Sequence, residues 1–283
     1  MSNIKGKLEN TSEEVDIFSK TYGYDQAFID KMLNPGCKWK EKKEAFDNLT
    51  KITDKSKIKS IKNTDRTYFI LMIKKLLKQP NINVVHSIIN ALNNISLGLN
   101  TNFSEAKDLF PYLIIYLKEK KEGLINSLIT CLCNFSLYIN DNIINEKLFN
   151  YCSEKKLCNI AKINLCNLIE NLIDKKIGIQ LNNYVPLIIK IAQFLDDPNP
   201  EVREKSAKLM GFINYKKKEI FKSILNSINL DDKKINKIEE YKSLYINISC
   251  NNTNKKNVDT IDKNSENKIN CLNQKKIWKK IIR

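Results

Sequence analysis

Apolar residues recur at three- and four-residue steps through most of residues 24–245, and this spacing constrains the fold more than any other feature. Ile88, Ala91, Leu92 and Ile95 show it, as do Ile125, Leu128, Ile129 and Leu132. That period places the apolar side chains on one stripe of an α-helix; the alternation that marks a half-buried strand is scarce. Short polar breaks interrupt the pattern, notably Asn34-Pro35-Gly36, Gln79-Pro80-Asn81 and Asp196-Asp197-Pro198-Asn199-Pro200. Only 7 Gly and 6 Pro occur in 283 residues, too few turn-formers for a sandwich, barrel or doubly wound sheet.

The breaks are periodic. Each precedes an apolar residue that opens a helical stretch: Trp39, Val84, Leu124, Ile160 and Val202. Successive intervals are 45, 40, 36 and 42 residues, the period of HEAT or armadillo hairpins. One such hairpin cannot bury its own apolar stripe, so neighbours must stack into a solenoid. In the last unit Asp197 or Asn199 is placed to cap, Pro200 suits a first helical turn, and Val202, Ala207 and Leu209 begin the buried side. The expected architecture is all-α, with a polar segment over 1–23, the repeat domain over 24–245, and a disordered tail over 246–283. From Lys242 to Arg283 ten basic residues face three acidic ones, so the tail is basic. Lys275 to Arg283 suit a short amphipathic helix formed on contact with a partner.

Enzyme chemistry finds little support. The chain holds one histidine, His86, and no Gly-rich phosphate loop, G-x-S-x-G elbow, H-E-x-x-H or Cys-x-x-Cys. His86 reads as a structural histidine. Cys131 and Cys133 diverge by roughly 200° around a helix; Cys152, Cys158 and Cys166 follow no zinc spacing. Buried free thiols are expected, with no metal and no cofactor. The apolar runs, such as Pro111 to Leu117, are too short to span a bilayer, and Met1 to Asn10 lacks the apolar core of a signal peptide. These features predict a cytosolic protein. The net charge of +16 favours acidic partners by long-range steering, without choosing among them.

The segment from Cys37 to Ile52, CKWKEKKEAFDNLTKI, resembles the first HEAT unit of TOG domains, with a Trp just ahead of a charged helix. Downstream, the Asn83-Val84-Val85 opening, the turn around Gly98, Pro111 within the next helix and the Leu117-Lys118-Glu119-Lys120-Lys121 break are similar to the second and third units of microtubule-polymerase TOG arrays. Pro200-Glu201-Val202-Arg203 fits the fifth. The resemblance implies a flat paddle of about six hairpins whose narrow edge, built from the turns inside each hairpin, grips αβ-tubulin. It implies a role at microtubules in polymerisation or nucleation, at the cytoskeleton, the spindle or a microtubule-organising centre. By position, Trp39 with Lys40 is the first-turn anchor, Asn83 and Val84 the second-turn contact, Lys120 and Lys121 the third, and Arg203 the fifth. The fourth turn departs from the pattern: Ala161 stands where a basic residue is common, leaving Lys162, Lys155 or Lys156 to compensate.

Two other readings stay open on the residues alone. A generic HEAT adaptor would carry its exposed patch on a broad face. A nucleic-acid binder would need a continuous lysine groove holding an acid and an aromatic.

Overall fold

In the computed structural model, described over residues 26–53, 67–99, 103–154, 157–176 and 179–256, every regular element is helical. In chain order the helices are α1 (Gln26–Leu33), α2 (Trp39–Ile52), α3 (Thr67–Leu76), α4 (Ile82–Leu99), α5 (Ala106–Ile114), α6 (Glu122–Ser136), α7 (Asp141–Cys152), α8 (Asn159–Lys175), α9 (Val185–Ala192), α10 (Pro200–Lys216), α11 (Lys218–Ser227) and α12 (Asp232–Lys256). Short 3-10 turns extend α5 through Ile115–Lys118, and flank α9 at Leu181–Tyr184 and Gln193–Asp196.

The odd and even helices separate into two layers. α2 packs on α4, α4 on α6, α6 on α8, α8 on α10 and α10 on α12; the odd helices stack in the same order beside them. Each hairpin therefore meets the next, which is how a solenoid buries stripes that one hairpin leaves open. The buried side chains form one continuous core from Ile29 in α1 to Tyr241 in α12. Full burial of each such aliphatic side chain is worth about 1.5–3 kcal/mol, so the stacking itself holds the repeats together.

Local signals set the helix starts. Asn199 caps α10 by accepting the Glu201 and Val202 backbone N–H groups at 2.9 and 3.2 Å, with Pro200 first in the helix. Val202, Ala207 and Leu209 are buried behind it, as the sequence predicts. Asn140 caps α7 in the same way, accepting from the Asn142 N–H at 2.8 Å.

Close approach and buried polar links fix the last units. A Cβ on Gly211 would lie 2.7 Å from the Tyr241 Cβ and 2.9 Å from the Ile238 carbonyl oxygen, so α10 and α12 touch backbone to backbone there. Glu170 of α8, 2% exposed, accepts a 2.6 Å hydrogen bond from the Tyr245 hydroxyl of α12. Its other oxygen lies 3.6 Å from the Lys205 ammonium of α10.

Two expectations need correction. α12 runs to Lys256, so the boundary expected at 245–246 falls inside a helix. The Asn- and Lys-rich composition suggested disorder from residue 246, but a helix already packed on α10 up to Tyr245 runs on at little further cost. Residues 257–283, including the stretch from 275 to 283, lie outside the described residues, as do 1–23. Among the cysteines, Cys131, Cys133, Cys152 and Cys166 are buried free thiols, whereas Cys37 is half-buried and Cys158 exposed. Burial pushes the Cys133 and Cys166 thiols up to about 12 and Cys152 up to about 11, which leaves them inert. No helix among the described residues is long and apolar enough to cross a membrane, and no group of three or more His, Cys, Asp or Glu side chains there could hold a metal ion.

Candidate functional site: a ridge of hairpin turns

Among the described residues, the turns inside the hairpins occupy residues 34–38, 77–81, 119–121, 197–199 and 228–231, and residues 153–154 and 157–158 flank the fourth. Because the hairpins stack in register, these turns fall on the same rim. Side chains lace each turn to the next. The Lys42 ammonium donates to Gln79 Oε1 at 3.3 Å, joining the first and second. Lys121 donates to Asn83 Oδ1 at 3.0 Å, joining the second and third. Asn164 Nδ2 donates to the Leu117 and Glu119 carbonyls at 2.8 and 3.4 Å, tying α8 to the third turn. Lys162 pairs with Asp197 at 2.6 Å, joining the fourth and fifth. Lys234 pairs with Asp196 at 2.5 Å, joining the fifth and sixth. These links join each hairpin to the next along the rim.

At its first position stands Trp39. Asn34 accepts the Gly36 backbone N–H at 2.7 Å, and extended Lys38 delivers the chain into α2 with the tryptophan as its first residue. The indole is 42% exposed, and the Lys40 ammonium lies 5.9 Å from its ring centroid. One helical turn further, Lys42 is only 4% exposed. A large aromatic on a braced turn has the area and low rotamer freedom of an interface anchor.

At the second turn Val84 is fully buried, which overturns its assignment as a contact. The Asn81 side chain accepts from the Asn83 and Val84 backbone N–H groups at 3.0 and 3.4 Å. That cap starts α4 at Ile82 and turns Val84 into the core. Asn83 stays half-buried, occupied by Lys121. Lys120 and Lys121 of the third turn are exposed.

The fourth and fifth turns behave as one unit. Ala161 is buried, and Lys162 leans across to Asp197 with its ammonium 5.6 Å from the Phe194 ring centroid. Lys155 and Lys156 lie outside the described residues. Burial alone would raise the Asp197 carboxyl. Hydrogen bonds from Lys162 and the Asn199 N–H, with the charges of Lys162 and Arg203, outweigh that and hold it below the usual carboxylate range. Arg203 is exposed, and its Nη1 donates to the Asp197 and Pro198 carbonyls at 2.8 and 2.9 Å. One arm of the guanidinium is thus fixed to its own turn, which orients the fork.

His86 lies just inside the rim, its Nε2 3.1 Å from Ser127 Oγ. Burial and then the charge of Lys121 lower its pKa, so it stays neutral near pH 7. This is the structural histidine that the sequence suggests. Lys42, Gln79, Asn164 and Lys234 escaped sequence reasoning. The signal available for them was separation: Lys42 and Gln79 stand 37 residues apart and Asn164 and Leu117 stand 47, close to one repeat.

No family model matches the sequence. Over 88 residues the chain is 36% identical to Protein MOR1 of Arabidopsis thaliana, a stretch covering 31% of this chain and 4% of the plant protein. The fold is similar to a chain from structural work on microtubule plus-end tracking by XMAP215, CLIP-170 and EB1, with TM-score 0.68 and 22% identity over 83% of this chain and 96% of that one. It is similar to a chain from work on tubulin recruitment by microtubule polymerases with TOG domain arrays, with TM-score 0.65 and 19% identity over 84% of this chain and 50% of that one. The MAST/Orbit N-terminal domain gives TM-score 0.63 at 16% identity, over 77% of this chain and 96% of that one. Among the described residues the chain forms six stacked helical hairpins, and this fold is the one it shares with the chain from the TOG domain arrays.

Proposed function

We propose that this chain binds the αβ-tubulin heterodimer along the rim of hairpin turns and serves microtubule growth or nucleation, with no catalytic step of its own. The observation that carries this reading is Trp39, an exposed indole at the head of a rim whose successive turns are tied together. The fold of chains studied for tubulin recruitment and plus-end tracking supports the same partner. In this reading Trp39, flanked by Lys40, is the apolar anchor. Lys120, Lys121 and Arg203 supply charge to acidic groups on tubulin, and Asn83 and Lys162 hold the turns in place. A fork already fixed at one arm loses less entropy on engaging a carboxylate than a free side chain does. The protein's place would then be the microtubule cytoskeleton.

Size-exclusion co-elution with soluble tubulin tests the proposal. Trp39→Ala should weaken binding by about 2 kcal/mol, roughly thirtyfold in Kd, with unchanged helicity because the ring is largely outside the core. Equal co-elution of variant and parent removes Trp39 as the anchor; no co-elution of the parent removes tubulin as the partner.

A further inference from the structure

The broad side formed by the odd helices carries a feature the rim does not use. α3 turns Tyr68 and Leu71 outward, 56% and 48% exposed, and the 3-10 turn after α5 leaves Ile115 41% exposed. The Tyr116 hydroxyl donates to the Leu77 carbonyl and holds α3 and α5 side by side. Between them sits half-buried Tyr112, with the Lys74 and Lys78 ammoniums 5.9 and 5.5 Å from its ring centroid. At 100° per residue, positions 71 and 74 share one stripe of α3, and Lys78 follows in the turn after it, so Leu71 continues the seam that Tyr112 and Ile115 begin.

Single exposed apolar residues are ordinary. This seam differs in its charge. Lys75 and Lys118 are exposed beside it, α3 contains no acidic residue, and Asp108 is the acid on the exposed side of α5. Among the described residues no carboxylate lies within ion-pair reach of Lys74, Lys75, Lys78 or Lys118. Elsewhere on the surface lysines do find carboxylates, as Lys147 does with Glu146 and Lys237 with Glu240.

From this complementarity we infer that the α3–α5 face docks an acidic, amphipathic peptide segment of a second protein, its apolar side chains on Leu71, Tyr112 and Ile115 and its carboxylates on Lys74 and Lys78. A peptide suits the face better than a bilayer: the apolar groups lie flush on helix sides, and Tyr112 is recessed between two helices, a seat for a side chain. Nucleic acid brings phosphates but no aliphatic group to cover Leu71 and Ile115. Leu71, Tyr112 and Ile115 lie on the helix sides, and the face borders the turn rim at Lys78.

Fluorescence anisotropy of a labelled peptide of roughly 18 residues, rich in Glu with Leu and Phe at helical spacing, titrated with the full chain, tests this. Saturable binding is expected, and the same peptide with Lys in place of Glu should not bind. Leu71→Ser with Ile115→Ser should weaken it about tenfold or more; Lys74→Gln with Lys78→Gln, which leaves the core untouched, should do the same. Trp39→Ala should bind as the parent does. The inference fails if the Glu peptide does not saturate, if the lysine pair variant binds unchanged, or if phosphatidylserine vesicles or a single-stranded oligonucleotide bind this face in its place.

Discussion

Asp197 serves three neighbours at once: the Lys162 ammonium, the Asn199 backbone N–H and the field of Arg203. Asp141 plays the same part lower in the solenoid. It takes hydrogen bonds from Lys176 at 2.5 Å, the Gln180 N–H at 3.1 Å and the Tyr184 hydroxyl at 2.9 Å. Asp47 joins the second helices of adjacent units by accepting from Ser87, and also takes a hydrogen bond from Lys43 one turn back on its own helix. In all three, burial raises the carboxyl pKa and is outweighed by these donors, so each ends below its ordinary value. Between the folded and unfolded pKa values the unfolded chain binds more protons, so stability rises with pH there. Their contribution is therefore complete above about pH 4 and disappears as pH falls through the depressed values. Thermal melts should give a Tm unaffected by these groups from pH 7 to 5 and falling below about pH 4; Asp197→Asn should shrink that fall. Such residues also show where a sequence stops being legible. Lys42 stands in a run of charge that reads as solvated, and its burial follows from Gln79 in the next hairpin. Val84 is preceded by two asparagines able to cap, Asn81 and Asn83, and the backbone chose the earlier one.

Helix by helix, the breaks at Asn34-Pro35-Gly36, Gln79-Pro80-Asn81 and Asn199-Pro200 were visible because the signals act locally: the Asn34–Gly36 turn, the caps at Asn81 and Asn199, and Pro200 at a helix start. The length of α12 was not visible, because a helix held by contact with α10 up to Tyr245 can run on through residues of weak propensity. That contact passes through Gly211, where a methyl group would meet the backbone of α12 within 3.0 Å. Gly211→Ala should therefore destabilise the protein by about 1–3 kcal/mol through overpacking, although alanine is the better helix former. A lower urea midpoint, with cleavage by trypsin appearing first in α12, is the expected result. A rise in the midpoint would mean that the two helices separate without cost.

Across the whole molecule, the hydrogen bonds between hairpins mostly join residues one repeat apart, as in Lys42–Gln79, Lys121–Asn83 and Lys162–Asp197. Such an array behaves as a row of neighbours, each unit able to open with only the next one feeling it. The Tyr245–Glu170 bond breaks that rule, spanning 75 residues and passing over a whole hairpin. Burial, then the charge of Glu170, keeps the tyrosine hydroxyl protonated, so it remains a donor at any ordinary pH. Like a strap across three stacked plates, this bond makes the fourth, fifth and sixth hairpins share one opening event. In hydrogen–deuterium exchange, the amides of α8, α10 and α12 should open together with one free energy. Tyr245→Phe should release α12 to exchange on its own while α8 keeps its protection.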